Sequence, residues 1–164
     1  MVILVYGLPG SGKTFLAKNL AEKINAVHLN SDRIRKEIGK WDKYTKEAKQ
    51  DVYGTLLKKM QEMVLTGNNV IIDATFYKEK IRNEFLEASD QLGKPCKLIE
   101  VRAGEPTIKK RLSKPRVDSQ ADFEIYQKIR DEFEEVKEKH LTLFSDEITI
   151  EEMIKRALTY LGLQ

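Results

Sequence analysis

Only one cysteine, Cys96, stands in the 164 residues, so the chain has no internal disulfide and no cysteine metal cluster. That scarcity points to a reducing, cytoplasmic setting. Histidine is nearly as rare. His28 and His140 lie far apart and share no metal-ligand spacing, and His28 reads as a strand residue near the core. No run approaches the 18 consecutive apolar residues of a membrane helix. The chain opens on a strand pattern and has no basic–apolar–small leader, so no membrane association is expected. A large excess of one charge is also missing. Net charge is +3 although 34% of residues are charged. A broad surface for long nucleic-acid strands is therefore not indicated by composition. Internal repeats, low-complexity tracts and linkers are absent, and the length suits one domain spanning 1–164.

What is present is concentrated near the start. Gly7-Leu8-Pro9-Gly10-Ser11-Gly12-Lys13-Thr14 follows the apolar run Val2–Tyr6 and precedes the helical pattern from Phe15 onward. A buried strand, a glycine loop and a helix N-terminus in that order form a cradle for nucleotide phosphates. Glycines let the backbone curl around an anion without Cβ clashes. Unpaired N–H groups and the helix dipole then point at the phosphates. Lys13 would reach the β- and γ-phosphates, and the Thr14 hydroxyl would bind Mg²⁺. ATP is the donor expected, with GTP also admitted.

Strand patterns recur at residues 2–6, 26–30, 69–73, 96–102 and 141–144. Helical periodicity is expected over 13–24, 32–38, 46–66, 78–92, 106–113, 121–139 and 150–161. Thr45 reads as an N-cap and Gly67 as a stop. Alternating strands and helices argue an α/β fold, a parallel sheet covered on both faces. Ligands then bind beyond the C-terminal ends of the strands.

Residues with chemistry cluster at those ends. Asp32 follows the second strand and opens a helix, where a carboxylate can take the proton of an acceptor hydroxyl. Arg35 lies one turn on and suits an acceptor phosphate or another anion. The structural alternative makes Asp32 a helix cap and Arg35 a solvated charge, with Ser31 a rival cap. The third strand ends Val70-Ile71-Ile72-Asp73-Ala74-Thr75. An apolar strand closing on Asp73 resembles a Walker-B element that holds Mg²⁺. Thr75 touches either the acceptor or only the turn. Residues 109–116 carry five bases and no acid. They suit a lid over ATP, about 105–120, with Arg111 and Arg116 as the cations for transfer. Trp41 reads as packing or as a platform for an acceptor ring. Tyr44, Tyr53 and Tyr126 read as helix contacts, and Glu132–Lys139 reads as a charged helix face with pairs such as Glu135–Lys139.

The segments GLPGSGKT, NSDRIRKEIG, VIIDATF and the basic stretch before VDSQADFEIYQKI together resemble the AAA-type ATP-binding kinases. These are related to the 5′-hydroxyl polynucleotide kinases and, more distantly, to zeta toxins, gluconate kinases and adenylate kinases. The resemblance spans nearly the whole chain up to about Leu141. It implies a three-layer P-loop fold with a five-stranded parallel sheet of order 2-3-1-4-5. It implies Asp32 as base, Arg35 as acceptor-phosphate ligand, Asp73 as the Walker-B-like acid, and Arg111 and Arg116 as lid arginines. The chain departs from many polynucleotide kinases in having Ala74-Thr75-Phe76, not a polar pair, after that acid.

The expected activity is transfer of the γ-phosphoryl group of ATP to an alcohol, either a nucleic-acid 5′-hydroxyl or nucleotide-like acceptor, or a sugar-type small molecule. The other reading is a nucleotide switch or slow NTPase with a protein partner. It needs the loop and Asp73 but no base aimed at an acceptor.

Overall fold

Five apolar runs become the strands β1 (Val2–Tyr6), β2 (Val27–Asn30), β3 (Val70–Ala74), β4 (Cys96–Arg102) and β5 (His140–Phe144). All neighbours pair in parallel, in the order β2-β3-β1-β4-β5. This is the expected 2-3-1-4-5 sheet. The computed structural model describes residues 1–115 and 121–163. Seven helices are found among the described residues: α1 (Lys13–Ile24), α2 (Ser31–Glu37), α3 (Lys46–Leu65), α4 (Glu79–Gln91), α5 (Glu105–Leu112), α6 (Phe123–Asp131) and α7 (Ile150–Leu161). None is long and apolar enough to cross a membrane.

The strands are apolar on both faces because both faces are covered. Val2, Leu4 and Tyr6 of β1 point to a core shared with Val52, Leu56 and Met60 of α3 and Phe85 of α4. Ile3 and Val5 point the other way, to Leu16 and Leu20 of α1 and Met153 and Ala157 of α7. The parallel register fixes what matters for a ligand. Val5 of β1 and Asn30 of β2 both stand opposite Asp73 of β3. The loop after β1, the start of α2 and Asp73 therefore share one edge of the sheet.

One expected helix is wrong in length. The helix read over 121–139 ends at Asp131, and residues 132–139 run as an irregular strap. The Glu135–Lys139 helical pair therefore does not exist. Tertiary packing outweighs the local charge pattern here. Phe133 and Val136 pack against the α3/α4 core. The Glu134 amide donates to the Tyr77 carbonyl at 2.8 Å, and the Glu134 carboxylate accepts from the Glu79 amide. Arg82 of α4 is fully buried beneath the strap. It donates to the carbonyls of Phe76 (2.8 Å) and Glu135 (2.9 Å).

Arg82 thus ties the β3–α4 turn to the strap. Arg82→Met is expected to destabilise the fold by about 3 kcal/mol, because it leaves the buried Phe76 carbonyl and the Glu135 carbonyl of the strap without their donor. Urea unfolding measures this, and a loss under about 0.5 kcal/mol would mean that the strap is held by Phe133 and Val136 alone.

Candidate active site

The chain leaves β1 through Gly7, which has no room for a side chain. A Cβ there would lie 2.2 Å from the Val101 carbonyl oxygen of β4. Gly12 holds a left-handed conformation (φ 95°) immediately before α1. Residues 7–12 curl back, and the N-terminus of α1 opens toward the centre of the curl. Amides at a helix start carry no partner of their own within the helix, and this is the arrangement that binds anions.

The curl is braced from outside. Arg111 of α5 donates to the Gly10 carbonyl (3.0 Å) and to Ser145 Oγ (2.9 Å). Ser145 Oγ in turn donates to the Ser11 carbonyl. Ile108 and Leu112 of α5 close against Gly10. The first part of the basic segment is thus a packed helix over the loop, and Arg111 spends two donors on the loop's own framework. Arg116 lies outside the described residues.

Asp73 is completely buried at the end of β3 and does not cap α4, whose N-cap is Lys78. Its Oδ2 accepts from Asn30 Nδ2 at 2.6 Å and from His28 Nε2 at 3.3 Å. Arg33 donates to His28 Nδ1, and arginine has no acceptor. The His28 proton therefore sits on Nε2 and faces Asp73. Burial alone would raise the Asp73 pKa. The His28 and Asn30 hydrogen bonds and the nearby Lys13 ammonium outweigh it and hold the carboxyl below its usual value. Oδ1 has no protein partner although it is buried. An ionised oxygen in that state suits a cation or its hydration water. With the Thr14 hydroxyl at the start of α1, these are the groups that fit Mg²⁺.

Asn30 does two jobs. Its Oδ1 caps α2 by accepting from the Arg33 amide at 2.9 Å, and its Nδ2 holds Asp73. The cap expected from Ser31 or Asp32 is therefore Asn30. Ser31 and Asp32 are left lining a cleft of about 1070 Å³ that also contains Gly12, Lys13, Thr14 and Arg111. That volume lies at the upper end for a single small ligand.

Comparison with known proteins gives the family and agrees with the fold. A family model described as an AAA domain (AAA_33) matches residues 2–136. The chain belongs to that AAA domain family. Three solved structures share the fold of this AAA domain at low identity. One is an unliganded sugar kinase from Janibacter sp., 22% identical, TM-score 0.76, covering 99% of this chain and 94% of that one. Another is a gluconokinase from Sinorhizobium meliloti, 15% identical, TM-score 0.76, covering 98% and 91%. The third is the Mycobacterium tuberculosis APS kinase in complex with AMPPNP and APS, 14% identical, TM-score 0.76, covering 98% and 96%. A curated relative, the proteasome-activating nucleotidase of Methanosarcina mazei, is 44% identical over 48 residues, 27% of this chain. The match spans 11% of that protein's length.

The far half of the AAA-domain cleft holds residues that sequence reading placed differently. Arg35 is 6% exposed, not solvated. It donates to the Lys43 carbonyl at 2.6 Å, and its guanidinium lies 4.6 Å from the Tyr44 ring centroid. Tyr44 sits in the loop before α3, not on a helix, and lines the cleft. Tyr53 of α3 is buried. Its hydroxyl lies 3.1 Å from Thr75 Oγ1 and accepts from the Phe76 amide at 3.1 Å. Phe76 has a left-handed backbone (φ 48°), a strained state for a bulky residue. That turn lets Thr75 and Tyr77 both line the cleft while Phe76 points into the core. Sequence reading missed Lys49, Tyr77 and Asn30. Trp41 does not line the cleft and instead lies under the Lys36 ammonium, 5.8 Å from its ring centroid. Tyr126 packs as expected, on α6 against Ile108 and Leu112.

The double role of Asn30 can be separated by substitution. Asn30→Asp keeps the cap but sets two carboxylates against each other. A loss of about 2–4 kcal/mol is expected at pH 7.5. One carboxyl of the pair then has a folded pKa raised above its unfolded value. Its proton is gained as pH falls through that value, so the deficit against wild type narrows on acidification. Asn30→Ala loses both bonds, and with them one of the interactions that lower the Asp73 pKa, so its deficit should narrow less than that of Asn30→Asp. Equal pH profiles for the two variants in urea unfolding would contradict the arrangement.

Proposed function

We propose that the chain is an ATP- and Mg²⁺-dependent phosphotransferase that moves the γ-phosphoryl group to a hydroxyl of a nucleotide-like acceptor. The observation that carries this reading is the position of Asp32. It lines the same cleft as the phosphate cradle, at the start of a helix that Asn30 caps in its place. A carboxylate on the wall of the cleft that holds the phosphate cradle is placed to receive a proton. A switch or simple NTPase has no need of it.

In this reading the amides of residues 10–14 and the Lys13 ammonium bind the β- and γ-phosphates. Magnesium, held through Thr14 and Asp73, supplies charge neutralisation on the phosphate oxygens when bound. The acceptor hydroxyl gives its proton to Asp32 as its oxygen forms a bond to the γ-phosphorus. The bond from that phosphorus to the bridging oxygen breaks, and ADP leaves with the electron pair. Arg111 keeps the cradle in shape. Arg116, outside the described residues, is the candidate for the arginine that meets the transferring group. Arg35 and Thr75 line the acceptor half. The sugar kinase, gluconokinase and APS kinase among the structural neighbours support the reading, and sugar-type acceptors are the alternative within it.

The test uses γ-labelled ATP with 5′-hydroxyl oligonucleotides, nucleoside 3′-phosphates, gluconate and nucleotide sugars. Asp32→Asn is expected to lower label transfer by about 10²–10⁴-fold, the usual worth of a general base. AMPPNP affinity should change by no more than about threefold, since Asp32 makes no donor contact in this account. Release of inorganic phosphate alone, unchanged by the substitution, would favour the NTPase reading.

A further inference from the structure

The acceptor half of the cleft contains two cations, Arg35 and Lys49, and among the described residues neither is in a salt bridge. Arg35 is buried, and among the described residues it makes no ion pair. Its Nε is buried with no hydrogen-bond partner. Lys49 faces the same cleft from the first turns of α3. Its Nζ donates to the Tyr77 hydroxyl at 2.9 Å and lies 5.0 Å from that ring's centroid. Arg35 stands in the last turn of α2, where the helix dipole favours it, whereas Lys49 stands near the start of α3. A positive charge near a helix N-terminus opposes the helix dipole. A buried guanidinium without a counter-charge is costly. Each cation rests on a tyrosine ring, Arg35 on Tyr44 and Lys49 on Tyr77, which offsets part of that cost and leaves other donors unspent. Around the whole cleft the only lining carboxylate among the described residues is Asp32.

The geometry points to Lys49 and Arg35 as joint ligands of an anionic oxygen group on the acceptor (phosphate, sulfate or carboxylate), remote from the hydroxyl that is phosphorylated. Lys49, whose ammonium lies on Tyr77, is the residue that selects charged acceptors over neutral ones. Arg35 supplies the fixed half of the site, because its Lys43 carbonyl bond and the Tyr44 ring hold it in place. Thr75, anchored by Tyr53, sits on the wall they share. This inference rests on the phosphotransferase reading for the word acceptor, but the anion site stands or falls separately.

The experiment is an NMR titration of the ¹⁵N-labelled protein with sodium sulfate at constant ionic strength. Saturating Mg²⁺ and AMPPNP keep the phosphate cradle filled throughout. Sulfate is expected to bind and to shift the amide signals of residues 35, 49 and 75–77. Lys49→Met is expected to weaken that binding about tenfold, and Lys49→Arg, which keeps the charge, to restore most of it. Folding of each variant is read from the same spectra. Sulfate binding unchanged in Lys49→Met would overturn the proposal, and so would shifts confined to other surfaces. Absence of sulfate binding to the loaded protein would overturn it as well. Failure of the phosphotransferase reading shows elsewhere, as label transfer insensitive to Asp32→Asn.

Discussion

The carbonyl of Val101 stands where a side chain on Gly7 would have to be, and the rest of the site follows from that contact. β1 is the central strand, paired to β3 on one side and β4 on the other, and in the conformation by which the chain leaves it (Gly7 φ 153°) a Cβ would strike the Val101 carbonyl. Glycine is what lets the chain turn out of the sheet there. The chain comes back through Gly12 in a left-handed conformation and enters α1 with its amides facing the space it has just enclosed. Within the turn the Leu8 carbonyl accepts from the Ser11 amide, and the carbonyls of Gly10 and Ser11 need partners from elsewhere. Arg111 and Ser145 satisfy those of Gly10 and Ser11, so the anion-binding curl is held by groups on α5 and the β5–α7 turn. The shape of the cradle is thus held by the protein's own groups.

The second organising contact is the Asn30 amide. The strand register alone places Asn30 beside Asp73, and the side chain turns that adjacency into a two-way clip. One end fixes the start of α2, which carries Asp32 and Arg35. The other fixes which oxygen of Asp73 is spent on protein and which is left over. His28, aligned by Arg33, repeats the instruction from the next residue but one. The Asp73 carboxylate and the start of the helix that carries Asp32 are thus both held by Asn30.

Much of this was legible in the sequence, for reasons that can be stated residue by residue. Val2–Tyr6 has to be a buried strand, the glycines of 7–12 have to be a turn, and α1 and α7 fall where periodicity puts them. Asp32 and Asp73 were visible because strand ends in parallel sheets carry ligands. Asn30 was passed over because asparagine before Ser-Asp looks like one cap among three, and only the register shows that it faces Asp73. Lys49 and Tyr77 were invisible as a pair, being 28 residues apart and brought together by the left-handed turn at Phe76. The strap at 132–139 was misread because its charges repeat at helical spacing. The decisive residues, Phe133 and Val136, belong to a core that local pattern cannot see.

Donor cradle, base and anion-binding wall share one cleft, and this is the account's central claim: a phosphoryl group passes directly between two molecules held side by side. The most direct measurement follows the γ-phosphorus of ATP by ³¹P NMR in the presence of Mg²⁺ and charged hydroxyl acceptors. The account predicts that the γ resonance is replaced by a phosphate monoester on an acceptor, together with ADP. Conversion only to inorganic phosphate, at a rate indifferent to every acceptor supplied, would contradict it.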